Sequence, residues 1–172
     1  MNAARRVSYD PAQKVEIKFR EPVEEYLLVD GYNIIFAWEE LNELARTTID
    51  GARHKLMDIL CNYQGYKKCT LILVFDAYKV TGNIGQAIEY HNIHVVYTKE
   101  AETADQYIEK LAHKMGRNHR VTVATSDGLE QLIIRGQGCH LMSARDLKEE
   151  VDYVVCKGDT LWKIAEKYNT TP

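Results

Sequence analysis

The sequence predicts an α/β domain with a central, mainly parallel sheet and helices on both faces. Three observations lead there. Short apolar runs of strand length alternate with segments whose apolar residues recur at helical spacing. Several of the runs end on an acidic residue beside a turn: Tyr26 to Asp30 (YLLVD), Leu71 to Asp76 (LILVFD) and Val121 to Asp127 (VTVATSD). The chain has 172 residues, of which 45% are hydrophobic, which is enough for one domain with a real core and too short for two ordinary ones.

Residues 1–25 form an N-terminal extension that is polar and carries Pro11 and Pro22. Its alternating segment Val15 to Phe19 reads either as an edge strand or as an arm. The domain proper spans 26–152 and opens with the strand that ends on Asp30. Ile34 to Trp38 and Leu41 to Leu44 make a short helical or irregular connection packed on the core. Thr47 or Thr48 caps the next helix, whose Ile49, Ala52, Leu56, Ile59 and Tyr63 share a face, and Gly65 is the expected stop. Cys69 to Phe75 is the second strand, followed by a loop punctuated by Gly82 and Gly85, either a substrate-contacting flap or a plain connector. Ile93 to Tyr97 is the third strand. Thr103 caps a helix with Ala104, Ile108, Leu111 and Met115 on one face. The fourth strand, Val121 to Ala124, leads to a short helix through Leu129, Leu132 and Ile133, and Gln137 to Met142 supplies a fifth. Ser143 caps a helix from Ala144 to Asp152.

Composition excludes several classes of function. No stretch approaches the roughly 20 apolar residues of a membrane span, and Met1 to Arg6 lacks the apolar run of a secretory signal. A cytoplasmic protein without a membrane partner is expected. Cys61, Cys69, Cys139 and Cys156 are scattered, which suggests neither a zinc site nor a redox pair. A net charge of −3 argues against gripping nucleic acid by bulk electrostatics. It is compatible with a local basic rim, for which Lys67, Lys68, Lys79, Arg117, His119, Arg120, Arg135 and Arg145 are candidates. Ordinary solvated charge explains any one of them equally well. The phosphate loop of nucleotide hydrolases, the nucleophile elbow and a complete dinucleotide fingerprint are all missing; His91 and His94 flank a strand as surface or core-edge residues, and His113 and His119 lack a partner at ligand spacing.

The acids are what remain. Parallel strands present their carboxyl ends along one sheet edge, where open α/β folds keep their sites. Asp30, Asp76 and Asp127 then share that edge with Asp105, at the start of the helix that Thr103 caps. Each has an ordinary structural role available: Asp30 as a turn residue, Asn33 as a cap, Asp127 as an N-cap, Glu102 and Asp105 as acids favoured by a helix dipole. Together they repel, by about 4 kcal/mol per pair at 4 Å and an effective dielectric of about 20. A divalent cation offsets that repulsion, and oxygen-only ligation suits Mg²⁺ or Mn²⁺. Asp30, Asp76, Asp105 and Asp127 are therefore the expected catalytic acids and metal ligands, with Glu102 as a further ligand. Asn33, Ser126, Lys79 and Arg145 are the expected substrate contacts. Hydrolysis of a nucleic-acid backbone is the chemistry that such a centre suits.

The ordered series Asp30 to Asn33 (DGYN), Val74 to Val80 (VFDAYKV), Tyr97 to Asp105 (YTKEAETAD), Ala124 to Asp127 (ATSD), Gly136 to Gly138 and Ser143 to Arg145 resembles the YacP-like branch of the NYN domain family. The resemblance covers roughly residues 26–152. It implies a three-layer, PIN-like nuclease fold with an acidic, Mg²⁺-dependent centre on Asp30, Asp76, Asp105 and Asp127, with Asn33 as the motif's asparagine. It also implies an endoribonuclease that cuts mRNA on translating ribosomes. A non-catalytic RNA- or ribosome-binding module on the same fold is the alternative. The chain departs from the pattern at Leu141, where relatives commonly carry an arginine. Residues 153–172 resemble the first strand and helix of a LysM repeat, the alternative being a terminal helix. Half of that module would be absent, so glycan binding is not expected.

Overall fold

The computed structural model describes residues 23–167 apart from positions 78, 79, 81 and 83, with the backbone alone over 158–167. The Val15 to Phe19 segment and Lys79 lie outside the described residues. Six strands, β1 (Glu25–Asp30), β2 (Thr70–Phe75), β3 (Ala87–Tyr90), β4 (Ile93–Tyr97), β5 (Arg120–Ala124) and β6 (His140–Met142), form one sheet in the order β3-β4-β2-β1-β5-β6. All neighbours are parallel except β3, which pairs antiparallel with β4. The expected mainly parallel α/β architecture is thus observed. Among the described residues, no helix is long and apolar enough to cross a membrane.

Strand β1 occupies the centre, and its two-residue period splits the core. Leu27 and Val29 face one layer, built from α1 (Gly31–Ala37), α2 (Glu39–Thr47), α3 (Ile49–Lys67) and α6 (Ala144–Lys167). Leu28 faces the other, built from α4 (Ala104–Met115) and α5 (Gly128–Gly136). Thr48 caps α3 by accepting from Gly51 N–H at 3.1 Å, and Thr103 caps α4 in a reciprocal capping box with Gln106.

Four local expectations change. Helix α3 runs through Gly65 to Lys67, because Lys68 rather than the glycine adopts the left-handed conformation (φ 57°) that ends it. Strand β3 escapes a periodicity search because Ala87, Ile88 and Glu89 are all exposed, and its turn to β4 rests on His91 at φ 51° rather than on glycine. Helix α5 is turned over. Leu129, Leu132 and Ile133 are 70%, 68% and 40% exposed, while Glu130 and Ile134 face inward. Finally, the backbone from Ala144 stays helical to Lys167, so no LysM-like strand forms at Val154 to Cys156 and the terminal-helix reading holds.

Gly31 allows α1 to start directly on the sheet, since a Cβ there would sit 2.3 Å from Cε1 of Phe75, which is fully buried. Gly31→Ala should therefore cost about 1–3 kcal/mol in urea unfolding, and combining it with Phe75→Leu should recover part of the loss.

Candidate active site

The carboxyl ends of β1, β2 and β5 meet the amino ends of α1, α4, α5 and α6 along one edge of the molecule. Helix amino ends carry partial positive charge and unpaired N–H groups, so this edge favours anions. Asp30 ends β1 and caps α1, its Oδ1 accepting from Asn33 N–H at a long 3.4 Å. Asp105 stands in the first turn of α4, and Glu130 in the first turn of α5. Each of these three acids brings a carboxylate oxygen within 4.8 Å of the others. Asp30 and Glu130 are buried, while Asp105 opens the cluster to solvent.

Electrostatics at this spot are unfavourable without a counter-charge. Burial, then the neighbouring Glu130 and Asp105 charges, push the Asp30 carboxyl far above the usual carboxylate range. Burial likewise raises Glu130, against the opposing effect of Thr125, whose hydroxyl donates to Glu130 Oε2 at 2.8 Å. The other oxygen, Glu130 Oε1, is buried without a backbone or hydroxyl donor, and the side chain that meets Glu130 here is the Asp30 carboxyl. An oxygen left without a protein donor in a carboxylate cluster is satisfied by a proton, a water or a cation, and of these a divalent cation also offsets the repulsion among the three acids. The donor set is purely oxygen, and its spacing lies close to what one ion with bonds of about 2.1 Å spans. Residues Asp30, Asp105 and Glu130 therefore fit a hard divalent cation.

The remaining predicted residues stand one step behind this cluster. Asp76 Oδ1 accepts from Ala104 N–H at 2.6 Å, tying the start of α4 to the end of β2 and so fixing Asp105, the next residue. Asp127 caps α5, accepting from Leu129 N–H at 3.0 Å and Glu130 N–H at 3.4 Å, and thereby sets the direction of Glu130. Glu102 is outside the three-carboxylate group and pairs with Lys110. Asn33 Oδ1 accepts from Ser126 N–H at 2.6 Å, and Ser126 Oγ accepts from Ala144 N–H at 3.1 Å. Ala144 O in turn accepts from the buried Trp38 indole N–H at 2.8 Å, so one chain of hydrogen bonds joins α1, the β5–α5 loop and α6. Arg145 follows at the start of α6, 87% exposed and beside Glu149. Glu130 was not among the predicted acids. The available signal was its spacing three residues after the Asp127 cap and four before Ile134, which puts it on the inward face.

The model for the YacP-like NYN domain matches residues 27–170. The chain belongs to the YacP-like NYN family. It is 43% identical over 129 residues to the Bacillus subtilis protein YacP, covering 74% of this chain and 75% of that protein. The crystal structure of B. subtilis Rae1 (YacP) superposes with a TM-score of 0.72 at 40% identity, over 84% of this chain and 83% of the other. That of a point mutant of the same B. subtilis protein gives 0.71 at 39% identity, over 83% and 84%. The family brings with it a PIN-like nuclease fold, in agreement with the sheet order and the acidic edge. The family match extends past residue 152 and takes in the whole of α6.

The raised Asp30 and Glu130 carboxyls have a consequence for stability. A carboxyl raised in the folded state stabilises the fold below its ordinary pKa, and that contribution is lost as pH rises through the raised value. Metal-free protein should therefore lose stability as pH increases from about 4, the ordinary carboxylate value, through neutrality. Asp30→Asn should flatten this slope and raise the melting temperature at pH 8 by several degrees, at about 2–4 °C per kcal/mol for a chain of this size, as read by calorimetry in a chelator.

Proposed function

We propose that this NYN protein is a divalent-metal-dependent endoribonuclease that hydrolyses RNA phosphodiester bonds, with mRNA on translating ribosomes as its substrate. The single observation that carries the reading is the gathering of the Asp30, Asp105 and Glu130 carboxylates within 4.8 Å of one another at an edge rich in helix amino ends. RNA as substrate, and the ribosome as the place of action, rest on the family and on the motif resemblance.

Asp30, Asp105 and Glu130 would hold Mg²⁺ or Mn²⁺, which when bound neutralises their repulsion, activates water and stabilises charge on a phosphodiester. The rest of the edge binds and orients. Asn33 uses Oδ1 to accept from Ser126, which leaves its amide NH₂ as a donor for a phosphate oxygen. Ser126 Oγ accepts from Ala144 N–H, which leaves its hydroxyl proton to donate in the same way. Arg145, beside them at the start of α6, supplies an exposed cation for the strand. Asp76 and Asp127 keep α4 and α5 in place and thereby hold Asp105 and Glu130 at the spacing that the ion requires.

Glu130→Gln and Asp30→Asn should each lower Mg²⁺- or Mn²⁺-dependent RNA cleavage about 100-fold or more, an effect of the size seen when electrostatic stabilisation is removed. The assay should include naked RNA and translating ribosomes, and cuts persisting in Asp30→Asn would overturn the assignment. RNA or ribosome binding without metal uptake or cleavage would instead favour a non-catalytic module. Asp127→Asn should keep activity within a few-fold, because asparagine caps a helix as well as aspartate. A 100-fold loss there would make Asp127 a ligand.

A further inference from the structure

Strands β5 and β6 begin at the edge of the sheet opposite the acidic centre, where an open cavity of about 330 Å³ lies between the α4–β5 and α5–β6 loops. Arg117, His119, Arg120 and His140 line it, and none of them takes part in the acidic centre. His119 Nδ1 accepts from Glu24 N–H at 3.3 Å, which leaves the ring proton on Nε2 and makes that atom a donor. Two acids are near. The Glu24 carboxylate accepts from the Tyr26 hydroxyl at 2.7 Å. Glu25 stands opposite Arg120 across the β1–β5 pair, but their charged atoms are 3.9 Å apart with both side chains about half-exposed or more. A contact of that kind contributes little and is readily exchanged for a better acceptor.

The carboxyl ends of α4 and α5 also reach this edge, and exposed carbonyls would repel an anion. Here the chain covers carbonyls at both ends. Ala112 O accepts from Gly116 N–H, Met115 O from both Asn118 and His119 N–H, and Arg135 O from Gly138 N–H. Two arginines and two histidines thus line this cavity, on a chain whose overall charge is −3. The positive charge is local, as binding of a phosphate requires.

We propose that this cavity is an anion-binding site that holds a phosphate of an RNA strand several nucleotides away from the bond cut at the acidic centre. Naming RNA as the polyanion rests on the nuclease reading, whereas anion binding stands on the cavity itself. Five residues of β5 separate the two edges by roughly 17 Å, at about 3.3 Å per residue. Only an RNA longer than a few nucleotides can engage both.

The test is binding of fluorescent single-stranded RNA, read by anisotropy with Ca²⁺ in place of Mg²⁺ so that the acidic centre keeps a counter-charge, the RNA being checked as uncut on a gel. Arg117→Ala/Arg120→Ala should bind an RNA of about 12 nucleotides roughly tenfold more weakly than the unaltered chain, with the salt dependence shallower by about 1.4, at about 0.7 per phosphate contact on a single strand. An RNA of about four nucleotides should bind both proteins equally. The double lysine variant Arg117→Lys/Arg120→Lys should restore most of the affinity, and equal unfolding midpoints should exclude a folding defect. Unchanged affinity for the long RNA, or equal loss for both lengths, overturns the proposal. Inorganic phosphate should shift the His119 and His140 resonances and be displaced by the long RNA; phosphate binding without that displacement also overturns it. Binding that follows this pattern in a chain that cuts no RNA would refute the nuclease reading and leave this site standing.

Discussion

Three carboxylates are held at one sheet edge against their own repulsion, and much of the local architecture answers to that. Asp30 ends the central strand, so the packing of both core layers fixes where its carboxylate lies. Burial then denies it and Glu130 the water that would stabilise their charges. A fold that tolerates this must hold the acids rigidly, because any relaxation would let them separate and re-solvate. Helix amino ends supply part of the compensating charge, and a hard cation would supply the remainder.

Rigidity comes from residues that do not themselves join the three-carboxylate group. Asp76 and Asp127 spend their carboxylates on backbone N–H groups, one at the start of α4 and one at the start of α5, and each is thereby coupled to the acid it positions. On the other side of the centre, Asn33, Ser126, Ala144 and Trp38 form a relay that anchors α6 to α1. The same relay engages Asn33 Oδ1 and Ser126 Oγ as acceptors, which leaves the Asn33 amide NH₂ and the Ser126 hydroxyl proton outside it. The support and the proposed substrate contacts would thus be parts of one hydrogen-bonded unit.

Most of the architecture was legible in the sequence because its signals are local. The runs ending on Asp30, Asp76 and Asp127, the Thr48 and Thr103 caps and the alternation of strands with helices each follow from a few neighbouring residues, and each element appears where expected. Strand β3 was not legible, since a fully exposed edge strand has no apolar periodicity and exists only because β4 offers it a partner. Helix α5 was legible as a helix, but the face it turns inward was not, for a related reason. Periodicity assumes that the apolar side faces in, and here Leu129 and Leu132 face solvent while an acid faces the core.

The sequence by itself determined the class of fold, the family, and the fact that acids accumulate at the carboxyl ends of parallel strands, because strand ends and helix caps are written in short stretches of chain. Only the tertiary structure decided which carboxylates meet. Asp30, Asp105 and Glu130 are far apart in the chain and converge only when β1, α4 and α5 are packed. Packing made the selection: the buried end of β1 and the first turns of α4 and α5 bring these three carboxylates within 4.8 Å of one another, while Asp127 is turned to the backbone N–H groups of Leu129 and Glu130.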